Sequence, residues 1–253
     1  MSAGHEISVE EHDSGDVKVA LEGTVVVVTM DRPSKKNALT QAMYQRLADA
    51  LFQADADMGV GAVLITGTGD AFTAGNDLAD FMAGNSLDQT HRFLEAISSV
   101  HVPLVAAVNG MAIGVGLTML LHCDLVYVEP TAVLSAPFVS LGLVPEAASS
   151  LLLPRVIGER RASEVFLTGR RLSGEDAAQW GLANAIASPV LPVALEAAEA
   201  IASQPHAAAR KAKALARSTE LSVHGRMVEE MAAFAEALGG PEFAAVMAAR
   251  TAR

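Results

Sequence analysis

The chain is predicted to belong to the α/β class, and three observations carry that prediction. Uninterrupted runs of β-branched and aliphatic residues, TVVVVTM at 24–30, GAVLIT at 61–66 and LVAAV at 104–108, read as buried strands. Between them, apolar residues recur at helical spacing. Glycine-rich stretches, GTGDAFTAGNDLADF from Gly67 and NGMAIGVG from Asn109, join strands to the helices that follow.

Taken in order, a weaker strand within Val17–Leu21 precedes the first run, with Glu22-Gly23 as a hairpin turn. DRPSKKNALT at 31–40 is a polar loop. Thr40 can cap a helix through Met43, Leu47, Ala50 and Leu51. The second run leads into a loop and then a helix around His91–Ser99. The third leads through a turn to a helix over Ile113–Leu121. Leu125–Val128 and Ala132–Leu134 are short strands separated by Glu129-Pro130. From about Leu191 the chain becomes rich in Ala and Glu, punctuated by Pro192, Pro205, Gly225, Gly239-Gly240 and Pro241. Met227, Met231, Phe234 and Leu238 fall at i, i+4, i+7 and i+11, an apolar stripe for core or subunit contact. Helices that need something to pack on point to self-assembly.

Composition bounds the function. The 253 residues are 51% hydrophobic, which suits a well-buried globular domain. Lys+Arg 18 against Asp+Glu 29 gives a net charge of −11, which argues against a nucleic-acid surface. The single Cys123 forms no intramolecular disulfide and points to a reducing compartment. The seven His residues show no metal-ligand spacing, so no metal is expected. Val102 to Leu121 is uncharged and long enough to span a bilayer. Pro103, Asn109-Gly110, Gly114 and Gly116 divide it into strand, turn and helix start instead, so no membrane segment is expected. The polar, acidic start MSAGHEISVEEHDSGD is unlike a secretory or mitochondrial leader.

Glu146 is the one charged residue between Pro130 and Pro154. A carboxylate among apolar neighbours gains proton affinity and becomes a base near neutral pH. The same residue also fits the first turn of a helix begun by Pro145, complementing its dipole. Two loops could hold an anion: Ala74-Gly75-Asn76-Asp77-Leu78 and Asn109 to Gly116. Glycine lets backbone approach a ligand, and helix starts leave N–H groups unpaired; two that converge make an oxyanion hole. The chain lacks the GxGxxG and GxxxxGK[ST] patterns, which disfavours nicotinamide and nucleotide-triphosphate chemistry. No GxSxG elbow occurs. The consecutive His122-Cys123-Asp124 reads as structural, because triad partners meet through the fold rather than by adjacency.

Four stretches in fixed order carry a resemblance: DRPSKKNALT at 31–40, FTAGNDL at 72–78, PLVAAVNGMAIGVGLTMLLHCDLVYV at 103–128 and FLTGRRLSGEDAAQWGLAN at 166–184. Over nearly its whole length the chain resembles the crotonase, or enoyl-CoA hydratase/isomerase, superfamily. The resemblance implies a spiral of ββα units over residues 1–190 that binds acyl-CoA, and a C-terminal helical region over 191–253 that assembles a homotrimer or a hexamer. It implies an acyl-CoA thioester whose carbonyl oxygen sits between the N–H groups of Asn76 and Val115. Coenzyme A belongs to the substrate, so no cofactor is expected. Lys35 or Lys36 would lie near phosphate and Ala38 near the adenine. Ala74, Gly75, Asp77, Leu78 and Phe138 would line the substrate.

Departures from the family pattern narrow the reaction. The two glutamates of the hydratases would fall at Thr118 and Phe138, and neither is acidic here. APF at 136–138, GNDL at 75–78 and a glutamate after Pro145 are instead similar to the peroxisomal-type Δ3,Δ2-enoyl-CoA isomerases. That likeness implies one carboxylate, Glu146, moving a proton from C2 to C4, with Phe138, Leu143 and Val144 keeping water from the dienolate. Dienoyl-CoA isomerisation, hydration and non-catalytic acyl-CoA binding stand as alternatives. The ending TAR is not a peroxisomal address, so a cytoplasmic location is expected.

Overall fold

The computed structural model describes residues 15–83, 87–217 and 222–251, so most of the acidic N-terminal stretch lies outside it. Strands β1 (Val17–Glu22) and β2 (Val25–Met30) form an antiparallel hairpin, with Val17 opposite Met30. Helix α1 (Gln41–Ala56) follows the polar loop and is capped by Thr40, whose hydroxyl accepts from Met43 N at 3.3 Å. Its Met43, Leu47, Ala50 and Leu51 are buried, as the periodicity predicts.

Three units then repeat one plan. Strand β3 (Ala62–Gly67) is followed by the short β4 (Ala71–Thr73), then α2 (Leu78–Met82) and α3 (Asp88–Ser99). Strand β5 (Leu104–Val108) is followed by β6 (Met111–Ile113) and α4 (Val115–Thr118). Strand β7 (Leu125–Val128) is followed by β8 (Val133–Ser135), then α5 (Ser149–Ile157) and α6 (Glu159–Thr168). The chain continues through β9 (Leu172–Ser173), α7 (Gly174–Gln179), β10 (Ala185–Ile186) and α8 (Val190–Ala202). The first strand of each unit joins a six-stranded sheet, β1-β2-β3-β5-β7-β10; the second joins a four-stranded sheet, β4-β6-β8-β9. From β2 onward the large sheet is parallel.

The uninterrupted apolar runs have a cause: both faces of the large sheet are covered. Val25, Val27, Ala62, Leu64, Val105 and Ala107 pack against α8 on one face. Val26, Val28, Val63, Ile65, Ala106 and Val108 face the main core with α1 and α3 on the other. Helix α8 therefore packs on the sheet, although it opens the Ala- and Glu-rich segment. Two readings need correction. The loop expected at 67–81 contains β4, a strand too short to show a period. Met111–Ile113, expected at the border of a helix, is strand β6. Gly114 separates it from α4 with φ 58 and ψ −117, a conformation essentially confined to glycine. The uncharged stretch 102–121 is thus two strands, α4 and a 3-10 turn, Met119–His122.

Helix α9 (His206–Arg217) is pinned by a basic stripe. Arg210 donates to the carbonyls of Ala54, Asp55, Asp57 and Val60, at and just beyond the end of α1. Lys213 donates to Val102 O and pairs with Asp124 at 3.0 Å. Glu242, in α11 (Pro241–Thr251), accepts from the N–H groups of Ala207 and Ala208 at the start of α9. In α10 (Val223–Leu238), Met227, Met231, Phe234 and Leu238 are 58%, 65%, 63% and 50% exposed. The stripe is not core in the single chain.

Candidate active site

The two glycine loops meet. A methyl group at Gly75 (φ 91) would fall 2.8 Å from Ile113 O, and one at Gly116 would fall 2.7 Å from Thr73 Cγ2. Leu39 and Asn76 form a parallel bridge in which Leu39 N donates to Gly75 O and Asp77 N donates to Leu39 O. In that pattern the N–H of Asn76 faces away from Leu39. Val115 is the first residue of α4, where an N–H has no acceptor within the helix. The candidate oxyanion donors thus stand on adjoining loops.

Glu146 meets α4, the helix that follows the second loop, and its charge acts on Tyr44, which bonds the first loop. The Thr118 hydroxyl, in the same short helix as Val115, donates to Glu146 Oε1 and approaches Val115 O at 3.4 Å. On the other side, the hydroxyl of buried Tyr44 donates to Asn76 Oδ1. The Glu146 charge and burial together raise the Tyr44 pKa well above its usual value, burial contributing more. Burial also raises the pKa of Glu146, and the Thr118 hydrogen bond partly offsets it. Glu146 Oε2 is buried with no hydrogen-bond partner among the described residues.

The helix-dipole reading of Glu146 does not hold. Helix α5 begins at Ser149, because Ala147 (φ 52) and Ala148 (φ 53) are left-handed and break the helical path. Phe138 is buried, 4.0 Å from where a Gly114 methyl would lie. Leu143 and Val144, expected to keep water out, are 42% and 78% exposed, since 143–146 has no regular structure to press them inward.

The expected substrate residues divide. Lys36 pairs with Asp70 at 2.6 Å, while Lys35 is exposed. Ala38 is half-buried, and its carbonyl accepts from Arg32 at 3.1 Å. Asp77 caps α2, accepting from Ala79 N and Asp80 N, and pairs with Arg32 at 2.5 Å; chiefly this pair lowers its pKa. Ala74 N donates to Lys36 O, tying the two loops together. Leu78 is 58% exposed at the start of α2. In the consecutive trio, the Cys123 thiol is pushed up to about 12, first by burial and then by Asp124. That agrees with an inert thiol.

Residues 20–237 match the family model described as enoyl-CoA hydratase/isomerase. The chain belongs to the enoyl-CoA hydratase/isomerase family. It is 35% identical over 197 residues to 4-chlorobenzoyl coenzyme A dehalogenase-2 of Arthrobacter sp, covering 74% of this chain and 68% of that protein. It is 36% identical over 183 residues to enoyl-CoA delta isomerase 2 of Rattus norvegicus, covering 69% of this chain but 46% of that one. A structure from Magnetospirillum magneticum AMB-1, assigned as an enoyl-CoA hydratase/carnithine racemase, overlays with a TM-score of 0.90 at 39% identity, over 95% of this chain and 97% of that one. The two-sheet spiral is the crotonase fold of this family.

Three residues in this family member escaped sequence reading. Asn37 is buried and left-handed (φ 56); its side chain accepts from Arg32 N and donates to Thr68 O and Ala71 O. Asparagine's tolerance of that conformation is a faint signal. Tyr44 reads as one more apolar position on α1. His122 bonds the carbonyl of Ala147 at 2.9 Å, a contact between segments that no local pattern announces.

Proposed function

We propose that the protein isomerises 3-enoyl-CoA thioesters to 2-enoyl-CoA, with Glu146 as the single proton carrier. The observation that carries this reading is the buried Oε2, without a partner among the described residues, of a carboxylate with raised proton affinity. The C2 protons of a 3-enoyl thioester are acidified by the carbonyl and by the neighbouring alkene. Glu146 takes one, the electrons move into a dienolate, and the N–H groups of Asn76 and Val115 hold the thioester oxygen. Removing one such donor typically costs about 3–4 kcal/mol of transition-state stabilisation. The protonated carboxyl then delivers the proton to C4. Atoms balance with no water, metal or redox partner.

The number of acids favours isomerisation over hydration. Adding water needs one group to activate it and another to handle the C2 proton. Phe138 has no proton to give, and the Thr118 hydroxyl already donates to Glu146. Coenzyme A would run along the 31–40 loop, with Lys35 meeting phosphate because Lys36 is engaged by Asp70. The exposed stripe on α10 supports assembly into a trimer or a dimer of trimers. The test supplies purified protein with a 3-enoyl-CoA and, separately, a 2-enoyl-CoA. Double-bond transposition without hydration is the expected result; hydration without transposition rules the proposal out.

A further inference from the structure

We infer that His122 is a positioning residue for Glu146, acting through the backbone of Ala147; the inference rests on Glu146 being the proton carrier proposed above. His122 ends the 3-10 turn Met119–His122 and is buried. Its Nε2 lies 2.9 Å from the carbonyl oxygen of Ala147. A carbonyl only accepts, so Nε2 carries the proton and donates. Burial lowers the pKa of the ring, which favours the neutral imidazole, and the bond to Ala147 O keeps its proton on Nε2.

The bond falls where the backbone needs support. Ala147 and Ala148 are consecutive left-handed alanines, a conformation in which Cβ crowds the backbone and which persists only when the surroundings enforce it. Ser149 holds one side of this turn, its N and Oγ donating to Glu146 O at 2.9 and 2.6 Å. His122 holds the other side. Together they fix the direction in which Glu146 leaves the chain, toward Thr118 and the two loops.

His122 is anchored in turn. Its own carbonyl accepts from Arg217 Nη2 of α9, and the same guanidinium pairs with Asp124 at 2.8 Å. A continuous set of bonds therefore runs from the C-terminal helices through His122 and Ala147 to Glu146. Asp124 also holds Lys213 and the N–H of Leu104, while His122 is the member directed at the reacting segment.

His122→Phe keeps a ring but removes the donor, and His122→Gln keeps an N–H of similar reach. A misplaced catalytic group loses up to a hundredfold in rate, so the Phe variant should lose roughly ten- to a hundredfold in kcat on 3-enoyl-CoA, with KM within about twofold of wild type. The Gln variant should recover most of the loss. In a Glu146→Gln background, His122→Phe should cause no further fall, because the two residues act as one unit. If the Phe variant does not fold, His122→Asn, too short to reach Ala147, replaces it. A folded Phe or Asn variant with wild-type kcat overturns the inference, as does a Gln variant as slow as the Phe variant. If Glu146→Gln alone turns over like wild type, the reaction assignment fails and this inference with it. If Glu146→Gln is inactive while His122→Phe is unimpaired, only the role of His122 fails.

Discussion

At the scale of single residues, the site is one carboxylate with its two oxygens in different circumstances. Oε1 receives the Thr118 hydroxyl, and Oε2 is buried without a partner among the described residues. Glu146→Gln keeps the shape and removes the base, so turnover of 3-enoyl-CoA should fall roughly 10²–10⁴-fold. A base works ionised, so activity should rise with pH through the raised pKa of Glu146 and level off above it. Thr118→Val removes the hydrogen bond that lowers this pKa, and the acid limb of kcat/KM should move to higher pH; a move to lower pH would contradict the assignment. Stability carries the same sign. A carboxylate whose folded pKa is raised binds its proton more tightly folded than unfolded, so it destabilises the fold at pH above that pKa and not below the unfolded value near 4.5. Urea denaturation should therefore find Glu146→Gln at least as stable as wild type at neutral pH, the difference shrinking as pH falls toward that value.

At the scale of elements, strands and helices present the site by holding loops against each other. A methyl added at Gly75 would fall 2.8 Å from Ile113 O, and the residue has φ 91, so Gly75→Ala must shift the contact between the two loops and is strained besides. A drop in kcat together with a lower thermal midpoint is the expected signature, measured by steady-state kinetics beside calorimetry. The basic stripe of α9 acts on stability instead. Arg210 is buried and meets the carbonyls at and just beyond the end of α1. Arg210→Met would leave buried acceptors unpaired, a loss of roughly 2–3 kcal/mol, read from the urea midpoint.

At the scale of the whole molecule, each of the three repeated strand pairs gives one strand to the large sheet and one to the small sheet. This distribution places the loops after β4 and β6 side by side, since β4 and β6 are themselves paired. The apolar stripe of α10 belongs to the same scale, because nothing among the described residues covers Met231 or Phe234. Replacing both with Lys should shift sedimentation velocity toward the monomer while leaving circular dichroism unchanged. An unchanged sedimentation coefficient would place the assembly surface elsewhere.

The amino-acid sequence by itself determined the long strands of the parallel sheet, because burial on both faces demands continuous apolar runs. It also singled out Glu146, since a lone charge in a long apolar stretch is visible without coordinates, and it marked both glycine loops. Tertiary structure alone decided that Thr118 meets Glu146, that Tyr44 meets Asn76 and that His122 meets Ala147, because these partners lie 28, 32 and 25 residues apart along the chain. It also decided the left-handed turn at Ala147–Ala148, where alanine carries no local preference for such a backbone, and the short strands β4 and β6 of the second sheet. Three residues are too few to show a period, and only pairing across the sheet makes these two strands.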